Sequence, residues 1–204
     1  MKKTTLVLLL LMGVPLAAQK WEVGLFAGQQ SYKSVTDFGV TDEPAKKTVA
    51  SIRFGYAVAD IGPALFQLTA GYQPLVKTDV KQSGGTIPDG SSIPNLSYDQ
   101  KHWSVGAMFN FKAVVAVGAG LEYRSETLST SGSNGLNTSA TYGRPWARLN
   151  AGYAIPSPVV KPFFGLEVAA PLTSKSYDRN ASSVEFLKML APKLQVGLYA
   201  GIRF

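Results

Sequence analysis

Apolar and polar residues alternate along most of this chain, and the alternation is clearest at its C-terminal end. From Leu194 to Phe204 every second residue is apolar, and the last of them is aromatic. The residues between them are Gln195, Gly197, Tyr199, Gly201 and Arg203. A period of two residues is that of an extended strand, whose side chains point alternately to opposite faces. The pattern predicts a β-strand with one apolar face and one polar face.

Seven further segments alternate in the same way, which predicts an all-β chain of eight antiparallel strands. The predicted strands cover residues 21–28, 50–58, 66–73, 102–111, 115–124, 144–153, 163–170 and 194–204. Short connections separate some of them, at Asp60–Pro63, Lys112–Val114 and Ile155–Val160. Long polar stretches separate the others, at residues 33–46, 74–99, 125–141 and 171–193. Alternating short and long connections are typical of an up-and-down β-barrel.

The alternation alone leaves open which face of the barrel is inside. A soluble lipocalin-type barrel would bury the apolar face around a ligand, whereas a membrane barrel would bury the polar face. Glycines crowd the polar face, as a narrow interior requires, and charges are nearly missing from the apolar face. Aromatic residues lie at strand ends on the apolar face, as in the girdles of membrane barrels; they are Trp21, Tyr72, Phe111, Tyr123, Tyr153 and Phe204. We therefore predict a closed antiparallel transmembrane β-barrel over residues 19–204.

Residues 1–18 have the pattern of a secretory signal peptide. Two lysines at positions 2 and 3 precede an apolar run from Leu6 to Met12, and the small residues Ala17 and Ala18 follow. We expect cleavage after Ala18 and export through the periplasm. The alternative is a retained membrane anchor, but the apolar run is shorter than the roughly 20 residues that a membrane helix needs.

Composition and charge restrict the classes of function. The chain is 46% hydrophobic and 16% charged, with a formal net charge of +7 at pH 7. Loss of Lys2 and Lys3 with the signal peptide would leave +5 (7 − 2), spread along the chain, which argues against a nucleic-acid partner. The chain contains no cysteine and one histidine, so we expect no metal site and no other cofactor. The lack of thiols suits an oxidising envelope compartment.

These features together resemble the small outer-membrane barrels of the outer membrane protein A and outer membrane protein X type. The resemblance covers the whole mature chain and rests on the signal peptide, the strands, the connection lengths and the terminal Phe204. It implies a barrel in the Gram-negative outer membrane, with the long connections extracellular and the short ones periplasmic. In that family the barrel-insertion machinery reads the terminal aromatic residue, which implies the same role for Phe204. No periplasmic peptidoglycan-binding domain follows Phe204, so the tethering role of longer relatives is not expected.

The polar face carries charges of both signs, and we predict that they form an ion-pair network that plugs the interior. A buried charge without a partner costs several kcal/mol, so these residues should pair. From the turn positions we expect Glu167 roughly opposite Arg148, and barrel closure brings Glu22 near Arg203. The expected members are Glu22, Arg53, Glu122, Arg124, Arg144, Arg148, Glu167 and Arg203. The alternative is that some of them line a water-filled path.

His102 and Ser104 lie two residues apart on one predicted strand. The expected register places Glu122 opposite Ser104 and Arg124 opposite His102. His, Ser and Glu are residue types of a base, a nucleophile and an acid, and lipid A deacylases of the outer membrane carry such a set on barrel strands. Those enzymes direct the set towards lipid, whereas His102 and Ser104 share the polar, inward face. We therefore expect a polar interior and no enzyme.

The segment Ser183 to Leu190 breaks the strand pattern in the last long connection. Its apolar residues Val184, Leu187 and Leu190 would form one side of two helical turns, which would lie as a lip on the outer rim of the barrel. The alternative is an apolar start to the last strand.

The expected protein is a monomeric barrel with a structural or surface-interaction role, whose extracellular loops carry whatever binding occurs. Its expected partners are outer-membrane lipid, lipopolysaccharide and, during assembly, the barrel-insertion machinery. A narrow transport barrel for small solutes or small apolar molecules is the second hypothesis, and a lipid-modifying enzyme is the third. Surface binding after loop deletion, solute uptake by vesicles and the mass of lipid A would distinguish the three.

Overall fold

The computed structural model describes residues 20–32, 46–80, 96–132, 138–173, 177–178 and 191–204. Among these residues the chain forms nine antiparallel strands in one sheet. The strands are β1 (Trp21–Tyr32), β2 (Lys47–Ile61), β3 (Ala64–Val80), β4 (Leu96–Phe111), β5 (Ala116–Gly132), β6 (Thr138–Ala154), β7 (Lys161–Pro171), β8 (Tyr177–Asp178) and β9 (Pro192–Arg203).

The sheet closes on itself, which confirms the predicted barrel. Consecutive long strands pair from β1 to β7, β7 pairs with β9, and β9 pairs with β1. The two-residue strand β8 pairs with β6 at Tyr142 and Gly143, beyond the point where β7 ends. Eight long strands therefore form the wall within the described residues, and each pairs with a long strand on both sides.

The two faces of the wall have the polarity that the alternation predicts. Leu198 is 63% exposed and Val117 is 50% exposed on the outside, whereas Arg148 is 5% exposed and Glu167 is 1% exposed in the interior. A soluble protein would place these residues the other way round. The exposed apolar surface runs around the outside of every long strand, and the buried residues are largely polar. The barrel therefore has the inverted arrangement that a hydrocarbon surrounding requires.

Aromatic side chains border the apolar outer surface on two levels. Trp21, Phe111 and Tyr153 are exposed at the same end of the barrel as the short turns. Tyr72 and Trp103 lie directly opposite each other on β3 and β4, and both are exposed. Along β4, Trp103 and Phe111 are eight residues apart, on the order of 26 Å at a strand rise of about 3.3 Å. A tilted strand needs about this length to cross a bilayer.

Short turns lie where the sequence predicts them. Residues 62–63 join β2 to β3, residues 112–115 join β4 to β5, and residues 155–160 join β6 to β7. Gly62 has a φ of 56°, a left-handed conformation that favours glycine in a tight turn. We call this end of the barrel the short-turn end.

The predicted long connections are wrong in extent, because the strands continue well beyond the apolar band. Residues 74–80 and 96–99 belong to β3 and β4, and residues 125–132 and 138–141 belong to β5 and β6. A bulge between Gln73 and Val76 accommodates Pro74, which has no N–H for the ladder. These extensions are largely polar, with few apolar residues such as Leu75 and Leu128, so they carry little of the alternation by which a sequence pattern could find them.

Glycines on the inner face allow the interior to be filled by aromatic rings. Gly28 and Gly197 lie directly opposite each other on β1 and β9. A Cβ atom at either position would lie 2.7 Å from Cζ of Phe26, whose ring covers both glycines. Tyr199 covers the facing pair Gly152 and Gly165 in the same way. The crowding of glycine on the polar face thus reflects close packing inside the barrel.

Two predictions fall outside the described residues: the signal peptide over residues 1–18, and the helical segment Ser183–Leu190. In the part of the chain that is described, no helix is long and apolar enough to cross a membrane.

Candidate functional site in the barrel interior

Five charged side chains from four strands meet in the middle of the barrel; we call them the central cluster. They are Arg53 on β2, Glu122 and Arg124 on β5, Arg148 on β6 and Glu167 on β7. Each of these residues lies an even number of positions along its strand from a glycine of the inner face, so its side chain points inward. With the exception of Arg53, whose side chain is 15% exposed, all are at most 6% exposed.

Arg148 connects the two carboxylates of the central cluster. Its Nη2 donates to Oε2 of Glu167 at 2.8 Å, and its Nη1 donates to Oε2 of Glu122 at 3.2 Å. Arg53 also donates to Glu167, and Nε of Arg124 donates to Glu122. Each carboxylate therefore accepts from two guanidinium groups. Charge-assisted hydrogen bonds of this kind offset the cost of removing the ions from water.

Aromatic rings complete the surroundings of the arginines. The guanidinium carbon of Arg124 lies 3.9 Å from the ring centroid of Trp146, and that of Arg53 lies 4.9 Å from the centroid of Phe26. Trp146 is fully buried and is among the largest side chains in the interior. Stacking of this kind stabilises a desolvated guanidinium and fills volume at the same time.

A second ion pair lies further from the short-turn end. Nη2 of Arg144 is 2.7 Å from Oε2 of Glu126, and the same guanidinium donates to the backbone oxygen of Pro192 at 2.9 Å. Arg144 also lies over Tyr142 and Trp146, with distances from its guanidinium carbon to the ring centroids of 5.3 and 5.2 Å. This pair therefore ties β5 and β6 to the start of β9.

The pair Glu22 and Arg203 lies apart from the central cluster, at the short-turn end. The two residues face each other across β1 and β9, as barrel closure predicts, and Nη2 of Arg203 is 2.8 Å from Oε2 of Glu22. Glu22 also accepts from Gln67 at 2.9 Å, and Gln67 accepts from Asn110 at 2.8 Å. A chain of polar contacts thus crosses the interior at this end.

The barrel matches a solved outer-membrane protein in fold. A major outer membrane protein from Thermus thermophilus superposes with a TM-score of 0.53 at 13% identity, covering 91% of this chain and 98% of that chain. The chain has the fold of a small outer-membrane β-barrel.

Two other solved structures align with this outer-membrane-type barrel. Ail of Yersinia pestis has a TM-score of 0.47 at 12% identity, with 90% of this chain and 96% of that chain covered. Neisserial surface protein A has a TM-score of 0.48 at 16% identity, with 91% and 96% covered. No protein-family model matches the sequence, and comparison with curated proteins finds no match.

Two predicted registers in the outer-membrane-type barrel are wrong by two residues. Glu167 lies opposite Asn150, not opposite Arg148, whose direct partner is Ala169. The side chains of Arg148 and Glu167 nevertheless meet diagonally. The physical reason is the position of the turn between β6 and β7, whose centre falls one residue later than the sequence indicates. A turn centre moved by one residue changes every partner by two and leaves each residue on its face.

The predicted register between β4 and β5 is also wrong by two residues. This error affects the set of His102, Ser104 and Glu122. Ser104 lies opposite Arg124 and Glu122 lies opposite Gly106, so Glu122 does not face Ser104. The partner of His102 is Glu126 rather than Arg124. All three predicted residues are buried in the interior, and the carboxylate of Glu122 is held by arginines. Within the described residues, no group of three or more potential metal ligands comes together.

Sequence reasoning misses several buried residues of this interior. The polar pattern places Glu126 in a long connection. This residue lies two positions after Arg124 and four after Glu122 on β5, so it points inward as they do. Four glutamines also lie inside, at most 1% exposed: Gln30, Gln73, Gln100 and Gln195. Gln30 donates to Gln100 across the barrel, and Gln195 contacts Gln73 at 3.5 Å. Gln73 and Gln195 already lie on the polar faces of predicted strands. Extending the alternation past the apolar band would also find Gln30, Gln100 and Glu126.

Proposed function

We propose that this chain spans the outer membrane as a monomeric barrel with a structural or surface-interaction role and a lumen closed by its own side chains. The observation that carries the proposal is the combination of an apolar outer belt with an interior packed by the central cluster, Trp146 and the glutamines. The belt needs hydrocarbon around it. In the interior, the charged groups form ion pairs with one another, which favours a closed lumen over an open channel.

Export would use residues 1–18 as a signal peptide cleaved after Ala18, and the terminal Phe204 would serve as the signal for the barrel-insertion machinery. Backbone hydrogen bonds join Phe204 to Trp21 in both directions, at 2.8 and 2.9 Å, so the last residue is also part of barrel closure. Lipid and lipopolysaccharide would surround the belt, and the extracellular loops would carry any binding of a partner.

Conductance separates a closed lumen from a transport barrel. Purified protein in a planar bilayer should give no steady current steps of constant size, because the central cluster and Trp146 occupy the interior. A double variant, Trp146→Ala with Arg148→Ala, removes two of these side chains and should raise the conductance if it folds. Large, reproducible steps from the unmodified protein would contradict the closed lumen.

A narrow transport barrel is the second candidate, and one observation favours it. Among the described residues, several buried polar atoms have no hydrogen-bond partner, including Nη1 and Nη2 of Arg124 and Nε of Arg148. Polar atoms of this kind could line a thread of water through the interior. The recordings above decide between the two candidates. Lipid-modifying chemistry has less support, because His102 and Ser104 are buried on the inner face, away from the lipid side.

A further inference from the structure

The buried charges around the central cluster do not balance. The central cluster and the neighbouring pair Glu126–Arg144 together hold four guanidinium groups and three carboxylates. The pair Glu22–Arg203 at the short-turn end is balanced in itself. Among the described residues, the middle of the interior therefore carries one positive charge in excess. Burial of an uncompensated charge in a low-dielectric environment is costly, so an ion of opposite sign is favoured there.

The excess can be assigned to Arg124 by its hydrogen bonds. Arg124 is 1% exposed, and only its Nε contacts a carboxylate, that of Glu122. Its Nη1 and Nη2 are buried and have no partner among the described residues. Glu122 is shared with Arg148, which bonds to Glu167 as well. Two strong donors of one guanidinium thus remain available at the point where positive charge is in excess.

Other unpartnered polar nitrogens come from the neighbouring strands. Ser104 on β4 lies opposite Arg124, and the neighbouring inward residue on that strand is His102. The Nδ1 atom of His102 is buried and has no partner in the described part of the chain. Trp146 on β6 lies against the guanidinium of Arg124, and its Nε1 is also unpartnered. Gln73 lies opposite His102 and has an unpartnered Nε2. Strands β3, β5 and β6 thus supply buried N–H groups without acceptors, and β4 adds an unpartnered imidazole nitrogen.

We infer that the lumen holds one halide ion such as chloride, bound by Nη1 and Nη2 of Arg124 with His102 and Trp146 beside it. Water could accept from the same donors, but it would leave the positive charge uncompensated. A polyatomic anion such as sulfate is disfavoured, because Trp146 and Arg124 are almost completely buried. Oε1 of Glu126 is a nearby unpartnered acceptor, and its negative charge limits the affinity. The inference does not depend on whether the loops bind a partner.

Iodide quenching of Trp146 fluorescence tests this site. The chain has three tryptophans, so Trp21→Phe with Trp103→Phe leaves Trp146 as the only emitter. This variant is refolded into detergent micelles at a series of iodide concentrations, so that slow entry into a closed lumen does not matter. The expected result is quenching that saturates and that chloride reverses. Quenching that is absent, or that rises linearly and is unaffected by chloride, would overturn the inference.

Two substitutions in this background should change the affinity in opposite directions. Arg124→Gln should weaken iodide binding about tenfold or more, the scale of one lost charge-assisted hydrogen bond. Glu126→Gln should strengthen it, because a repelling carboxylate is removed. Arg203→Gln is the matched control, since it removes a cation at the short-turn end and should leave the affinity unchanged. If Arg124→Gln does not fold, the Glu126→Gln variant alone decides. An iodide affinity of this variant that is equal to or lower than that of its parent would overturn the inference.

Discussion

Replacement of Glu167 by glutamine should lower the free energy of unfolding by about 3–5 kcal/mol, the usual cost of removing one partner from a buried ion pair. Glu167 is 1% exposed and accepts from both Arg53 and Arg148. Glutamine keeps the size of the side chain but not its charge, so two buried guanidinium groups lose a counter-ion. The measurement is equilibrium unfolding by denaturant of the barrel folded in lipid vesicles, followed by tryptophan fluorescence.

The exposed ion pair between Asp60 and Lys112 provides the control. The two side chains lie near the short turns and are 45% and 32% exposed. Asp60→Asn removes the same charge as Glu167→Gln, but water surrounds this pair, so the loss should be within about 1 kcal/mol. Equal effects of the two substitutions would show that Glu167 is solvated and that the interior is not closed.

Replacement of Leu198 by arginine should lower the stability of the folded barrel in vesicles by about 2–4 kcal/mol, the cost of a charge on the lipid side near the middle of a bilayer. Leu198 is 63% exposed and lies midway along the apolar face of β9. On a soluble protein an exposed leucine could be changed to arginine with little effect. The effect is read as the loss of the folded form that migrates differently from the boiled protein in a detergent gel.

Val114→Arg is the matched substitution for Leu198→Arg. Val114 is 84% exposed, but it lies in the turn between β4 and β5. A charge at this level should cost about 0–1 kcal/mol, because the side chain reaches water or headgroups. If both substitutions were tolerated equally, depth in a bilayer would not govern the stability of this protein.

The faces of the strands can be predicted from the sequence, because lipid and lumen impose opposite demands on neighbouring residues. Leu198, Val117, Arg148 and Glu167 all lie on the sides that alternation assigns to them. The alternation fails on the strand extensions, which are largely polar. For that reason the sequence pattern does not place Gln100 and Glu126, on the extensions of β4 and β5, inside the barrel.

The register of two paired strands can be predicted only between β1 and β9, where the two ends of the barrel wall meet. Glu22 and Arg203 face each other because they are the second and the second-last residues of the described barrel wall, whose ends pair through Trp21 and Phe204. Across the turns, the pairing depends on which residue occupies the turn centre. The polar and apolar pattern is the same for a shift of two residues, so the sequence pairs Ser104 with Glu122 instead of Arg124.

The central claim is that hydrocarbon surrounds the apolar outer face, and spin-label accessibility tests it most directly. The chain has no cysteine, so Val117→Cys and Leu198→Cys can each be labelled with a nitroxide, with Val114→Cys in the turn as the aqueous control. In lipid vesicles, the labels at positions 117 and 198 should collide with oxygen, which dissolves in lipid, far more than with a water-soluble nickel complex, and the label at 114 should show the reverse. Preferential contact of positions 117 and 198 with the nickel complex would contradict the account.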